Sequence, residues 1–395
     1  MEIGIVGKPN VGKSTFFNAC TLAKVEVASY PFTTIEPNRG VTYVRVPCPC
    51  RELGVKCSPK NSMCIKGNRF IPVDIIDVAG LVPEAHSGRG LGNKFLDELR
   101  QAKVLIHVVD ASGGTDFEGN FIGIGKHSPK NDVEFLEKEI EEWFFGIFER
   151  NWEKIVRKCQ YEGKDFVKYF ASLFAGLGFN EIIVAEAIRR SELKLKEVHS
   201  WKEEEKKKFI GYLRKISKPM IIAANKSDVE IASKFIEELR RVRENVIPVS
   251  AMGEYLLRKL ASEDKIEYIP GDREFKIKGK LKEEERKALE IIKKKVFGRF
   301  GSTGVQECIN KSIFGILRKK VVYPVEDENK FSDKQGNVLP DAFLMDWEAT
   351  PRDLAFKIHT EIGENFIGAI DARTKRKIPS DKPLENGAIV KILTR

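Results

Sequence analysis

The chain of 395 residues has little glutamine, no internal repeat and no long apolar run. Without a stretch of about 20 apolar residues, no segment reads as a membrane-crossing helix. The first residues already carry a strand pattern, so no signal peptide is expected. A cytoplasmic protein without membrane contact follows as the expectation. Seven cysteines, an odd number, argue against a purely disulfide-stapled secreted fold. Scarce glutamine beside abundant lysine, glutamate and arginine fits a thermophile with surface ion networks.

What is present reads as globular: 42% hydrophobic and 32% charged residues, in a length sufficient for two or three domains. The formal net charge of +10 suits a polyanionic partner such as RNA, or equally a solubilising surface.

The first informative stretch is "GKPNVGKS", which fits G-x-x-x-x-G-K-[ST] between a strand at 2–6 and a helix starting near Lys13. Residues Gly7, Lys8, Pro9, Asn10, Val11 and Gly12 form the loop, whose amides can point at phosphate oxygens. The helix that follows, with Ser14 and Thr15 in its first turn, adds its positive end. Lys13 can bridge the β- and γ-phosphates, and Ser14 can ligate Mg²⁺. In "FIPVDIIDVAGLV" a strand closes on Asp77, a candidate to hold Mg²⁺ through water, and the Gly80 amide can sense the γ-phosphate. Thr34 in "YPFTTIEPNRG" is the candidate second protein ligand of Mg²⁺.

The base is read further along. "KPMIIAANKSDVE" places Asn225, Lys226 and Asp228 at the end of a buried strand. The Asp228 carboxylate can accept hydrogen bonds from N1–H and N2–H₂ of guanine, whereas adenine would leave it unpaired. Asn225 can tie this segment to the phosphate loop, and Lys226 can lay its stem across the ring. The Ser250 and Ala251 amides in "NVIPVSAMGE" can meet guanine O6. GTP is the expected nucleotide.

These motifs, with "DVAGLVPEAHSGRGLGNKFLDELR", "IEYIPGD" and "TGVQECINKSIFGILRKKVVYPVED", resemble the Obg-type GTPases and most closely the YchF-like branch. The tail from "VLPDAFLMDW" resembles a TGS domain. The resemblance implies a P-loop α/β domain, slow GTP hydrolysis to GDP and a role at the ribosome or on structured RNA. Two features depart from the pattern. The resemblance starts at the first strand, so the role of the glycine-rich domain that precedes the Obg G domain is not carried over. Many YchF-like proteins lack NKxD and are associated with ATP, whereas Asn225-Lys226-Ser227-Asp228 is intact here. Leu81 stands where many GTPases carry a water-orienting glutamine. Asn10 matches an asparagine that ligates K⁺ in potassium-stimulated relatives, and His86 is a further candidate to reach the attacking water. An ATPase of the YchF type, or an RNA- or ribosome-binding module gated by nucleotide with incidental hydrolysis, stand as alternatives.

The expected organisation is a G domain over 1–270, with core 1–115 and 216–270 and a helical insertion over 116–215. A helical connector over 271–317 and a β-grasp TGS domain over 318–395 follow. Trp143, Phe144, Phe145 and Phe148 are expected to pack between insertion helices. In the tail, Thr350 should cap a helix that Gly363 stops. Arg373, Lys375, Arg376 and Lys377 form a basic loop, a solvated turn or an RNA contact. Cys48, Cys50, Cys57 and Cys64 fall in one excursion between strands, and Zn²⁺, disulfides and free thiols are all open there. A monomer is the working expectation.

Overall fold

The computed structural model describes residues 3–22, 38–78 and 98–395. The chain divides into two compact units. One comprises Met1–Ala19, Ile75–Tyr268 and Asp272–Cys308; the other comprises Cys20–Asp74, Ile269–Gly271 and Ile309–Arg395. Thr34, Gly80, Leu81 and His86 lie outside the described residues.

The first unit is built on parallel strands. β1 (Ile3–Val6) lies between the end of β4 (Asn68–Asp77) and β5 (Val104–Asp110), and β6 (Met220–Asn225) and β7 (Val246–Pro248) follow in that order. All seven residues of β5 are buried, as an apolar strand covered on both faces requires. The sheet delivers Val6, Asp77, Asp110 and Asn225 to the carboxyl ends of their strands, where α/β sheets bind ligands.

Helix α1 (Lys13–Thr21) follows β1 directly, and α2 (Pro49–Leu53) belongs to the second unit. Between β5 and β6 run α3 (Pro129–Glu149), α4 (Trp152–Tyr161), α5 (Phe166–Leu173), α6 (Glu181–Ser191) and α7 (Glu203–Ser217). Their shared core contains Phe144, Phe148, Trp152, Phe166, Phe170, Trp201 and Phe209, and Trp143 and Phe145 pack against it partly buried. The Trp143–Phe148 cluster is core packing. The helices do not begin at 116, however. Residues 116–128 form an ordered loop closed by Asn120 and Glu118 amides on Asp116, and Pro129 starts the first helix. Five glycines between 113 and 125 defeat helix propensity there. α8 (Ala232–Val242) and α9 (Ala251–Ser262) flank β7 in sequence, and β8 (Ile266–Glu267) pairs antiparallel with β9 (Lys276–Ile277).

In the second unit, β2 (Arg39–Pro47) pairs with β4, and β3 (Met63–Ile65) pairs antiparallel with β4. A five-stranded sheet has the order β11 (Phe343–Asp346), β10 (Lys319–Val325), β14 (Ala388–Thr394), β12 (Phe366–Asp371), β13 (Lys377–Ile378). Its core gathers Val322, Met345, Leu354, Ala369 and Val390. The tail helix starts as expected, with Thr350 and Asp353 bonding reciprocally in a capping box. It ends earlier than Gly363. The helix stops at Ile358 because His359 is extended (φ −163°, ψ 144°), and the His359 ring caps a second short helix over Thr360–Glu364. Gly363 lies inside that second helix, where a Cβ would stand 2.3 Å from the Phe356 ring.

Candidate nucleotide-binding site

The loop between β1 and α1 is held by contacts that its sequence specifies. Gly12 sits at φ +97°, and a Cβ there would stand 2.4 Å from Asn225 Nδ2. Asn225 uses that nitrogen to donate to the Val11 carbonyl at 2.8 Å. Its Oδ1 accepts the Ala251 N–H at 3.0 Å. One amide therefore ties the phosphate loop, the end of β6 and the start of α9 together. Lys13 Nζ donates back to the Lys8 carbonyl at 2.8 Å, and burial lowers the pKa of its ammonium against the opposing pull of Asp77.

Ser14 Oγ donates to Asp77 Oδ2 at 3.1 Å. Asp77 Oδ1 is buried without a hydrogen-bond partner, and burial raises the pKa of the carboxyl despite Lys13. A hydroxyl and an unsatisfied carboxylate oxygen side by side fit a hard divalent cation such as Mg²⁺.

The segment from Asn225 to Asp228 is equally built. Ser250 Oγ donates to Asp228 Oδ1 at 3.2 Å, which orients the carboxylate, while the Ser250 and Ala251 N–H groups, expected at guanine O6, instead donate to the Thr303 carbonyl and Asn225 Oδ1. Lys226 takes φ +61° and its Nζ donates to Asp110 Oδ2 at 2.7 Å. Asp110, buried at the end of β5, also accepts from the Ser112 amide and hydroxyl and from Thr115 Oγ1. Against the cost of burial, these donors hold its carboxyl below the usual carboxylate range.

Several supports escaped the sequence reading. Asp110 is one; a carboxylate ending an apolar strand was its signal. Asp132 is another: Lys8, expected at the nucleotide, instead buries its ammonium against Asp132 and the Thr115 carbonyl. His127 Nε2 joins the same carboxylate at 2.7 Å. Lys8 thus offers the loop its backbone alone. Asn10 Nδ2 donates to the Gly119 carbonyl at 3.0 Å, and a Cβ on Gly119 would stand 2.6 Å from the Pro9 carbonyl oxygen. The 111–128 stretch, with five glycines, is therefore a brace for the phosphate loop. A third support is Thr303 of the "TGVQE" stretch. Its carbonyl accepts the Ser250 N–H at 2.9 Å, and its hydroxyl donates to the buried Glu254.

Three family models match this chain. A 50S ribosome-binding GTPase model covers residues 2–144, an Obg-like GTPase YGR210-like, G4 motif-containing domain covers 223–327, and a TGS domain covers 335–394. An uncharacterized GTP-binding protein of Methanocaldococcus jannaschii is 52% identical over 395 residues, which is 99% of this chain and 98% of that protein. The chain belongs to the Obg-like, YchF-related P-loop GTPases. A ribosome-binding ATPase YchF of Haemophilus ducreyi is 33% identical over 277 residues, covering 68% of this chain and 70% of that protein. The crystal structure of a GTP binding protein from Pyrococcus horikoshii superposes with a TM-score of 0.79 at 41% identity, covering both chains fully. No helix among the described residues is long and apolar enough to cross a membrane.

Proposed function

We propose that this chain binds GTP with Mg²⁺, hydrolyses it slowly and serves as a nucleotide-dependent switch on the ribosome or on structured RNA in the cytoplasm. The observation that carries the reading is the joint placement of Asn225, Asp228, Ser250 and Ala251. Their bonds set the Asp228 carboxylate at the mouth of the segment for the N1–H and N2–H₂ edge of a guanine. The most similar relative named above is titled GTP-binding, and the region containing Asp228 matches a G4 motif-containing domain.

Amides of Gly7, Pro9-flanking Lys8, Asn10, Val11, Gly12, Lys13, Ser14 and Thr15 would cradle the phosphates, with Lys13 adding charge at the β- and γ-oxygens. Ser14 and Asp77, joined by Thr34, would hold Mg²⁺. Bound there, the ion neutralises charge developing on the phosphoryl oxygens. Thr34 and the Gly80 region would order with GTP and release on hydrolysis. Leu81 cannot orient water, so intrinsic turnover is slow. The Asn10 amide oxygen would help hold K⁺ against the phosphates, and His86 would reach the attacking water. Equal turnover in Na⁺ and K⁺ at matched ionic strength would remove the potassium role.

The RNA contact would lie in the TGS tail. Arg373 is engaged with Glu52 at 2.7 Å, and Lys375 with the Glu328 carbonyl. Arg376 and Lys377 are exposed and carry the expected contact. Reversing these two charges should weaken ribosome binding and flatten its salt dependence.

A second reading, ATP use, is favoured by the YchF relative titled an ATPase. Competition binding discriminates them. Wild type should prefer GTP over ATP by roughly a hundredfold or more, and Asp228→Ala should erase that preference. Equal affinities in wild type would favour the ATPase.

A further inference from the structure

We propose that Cys48, Cys50, Cys57 and Cys64 hold one structural Zn²⁺ as a tetrathiolate, and that this ion clips the excursion between β2 and β4 onto the chain that leads into the TGS sheet. The inference is independent of the nucleotide reading.

The four residues come from different local structures. Cys48 follows β2 and precedes α2, Cys50 lies in α2, Cys57 is on the following loop and Cys64 is on β3. Their spacing in sequence is irregular, yet the sulfurs converge. Cys48 and Cys57 Sγ stand 3.9 Å apart, Cys50 and Cys64 Sγ 3.8 Å, and all four lie within 4.8 Å of one another. Zinc–sulfur bonds of about 2.3 Å in a tetrahedron put sulfurs roughly 3.8 Å apart. Two disulfides would draw the sulfurs into separate pairs; here they surround one point. Four soft thiolates in a tetrahedron select zinc over the hard cations.

Charge supplies the second observation. Binding releases four protons to solvent and leaves Zn(S–Cys)₄ with a charge of 2−. The register pairs Cys64 with Arg69 across β3 and β4. Arg69 is fully buried and donates to two neutral oxygens, Ser62 Oγ at 3.0 Å and the Leu339 carbonyl at 2.9 Å. Its Nε has no acceptor, and no carboxylate among the described residues lies within ion-pair distance; Asp341 acts on it from farther away. A buried guanidinium without a bonded counter-ion is costly. An adjacent dianion resolves it.

The excursion gains from such an ion because the stretch between α2 and β3 has no regular structure of its own. Residues 55–62 form no helix or strand. They are held instead by Ser58 N–H to the Val338 carbonyl at 2.8 Å, Lys60 N–H to the Pro340 carbonyl at 2.7 Å, and a reciprocal pair between Asn61 and Ala342. Metal ligation would fix one side of this seam, which leads straight into β11.

The test uses the full chain, reduced and stripped of metal, titrated with zinc against a chromophoric chelator. One equivalent should bind, all four thiols should lose reactivity toward a thiol reagent, and Co²⁺ should give the thiolate charge-transfer band of a tetrahedral tetrathiolate. Hydrogen exchange at the Ser58, Lys60 and Ala342 amides should slow on zinc addition. Cys57→Ala should lose the equivalent, while Cys57→His should retain it. Reactive thiols at saturating zinc, disulfides in the protein isolated under reductant, iron in place of zinc, or an equivalent that survives Cys48→Ser with Cys64→Ser would each overturn the proposal.

Discussion

The phosphate loop and the cysteine cluster gather chemistry by opposite routes. Residues 7–15 are contiguous, and one turn followed by one helix brings their amides together. The four cysteines span 48–64 and meet only after a strand end, a short helix, a loop and a hairpin have been placed. A contiguous site depends on backbone conformation, so its weak points are single positions such as Gly12. A convergent site depends on everything that places its members, so its weak points lie outside it, as at Arg69. The two also treat charge differently. Lys13 and Asp77 are partly desolvated ions close enough to oppose each other's shifts, whereas Arg69 is buried among neutral oxygens.

Arg69→Met should give the largest loss. It removes the charge facing the sulfurs and leaves Ser62 and Leu339 without their donor, a change of the kind that costs about 3–5 kcal/mol. Chemical denaturation followed in the presence of zinc measures it; a loss within the error of the midpoint would deny the cluster its dependence on surroundings. Lys13→Ala comes next. Hydrolysis should fall by about 10²–10³-fold, or about 3–4 kcal/mol, in single-turnover assays, with the fold intact by circular dichroism. Asn225→Ala should lower GDP affinity by about 1–3 kcal/mol, since it frees the Val11 carbonyl and the Ala251 amide at once. If Asn225→Ala bound GDP as wild type does, the loop would not need its brace.

The smallest effect concerns acid. Despite the opposing cost of burial, Lys60 and Asn337 hold the Asp333 carboxyl at about 2, below its ordinary value of 3.8. A carboxyl depressed on folding stabilises the folded state fully above its unfolded pKa, and that contribution disappears as pH falls through the folded one. Stability should therefore be insensitive to this group above pH 3.8 and decline between there and about pH 2, more gently in Asp333→Asn. The Lys60 end is exposed, so added salt should shrink the difference. Identical acid limbs in both proteins would show that the pair contributes nothing.

The same contrast governs what could be read from the chain before its fold. The phosphate loop, Asp77 and the Asn225–Asp228 segment were legible because short-range spacing encodes them, and each stands at a strand end. The Thr350 cap was legible for the same reason. Asp132 and His127 were not, since their partner is Lys8, more than a hundred positions away. The helical reading from 116 failed because charge-rich periodicity farther on outweighed the five glycines of 113–125. Gly363 misled because a glycine that permits close packing against Phe356 looks in sequence like one that ends a helix. The cysteines announced a cluster, but register across the β3–β4 turn was needed to show that four sulfurs face one point and Arg69 faces them.

Guanine recognition by Asp228 is tested most directly by calorimetric titration of wild type and Asp228→Asn with GDP and XDP in the presence of magnesium. Xanthine carries a carbonyl where guanine carries its amino group, so an amide in place of the carboxylate should swap the preference from GDP to XDP. Unchanged GDP preference in Asp228→Asn would contradict the assignment.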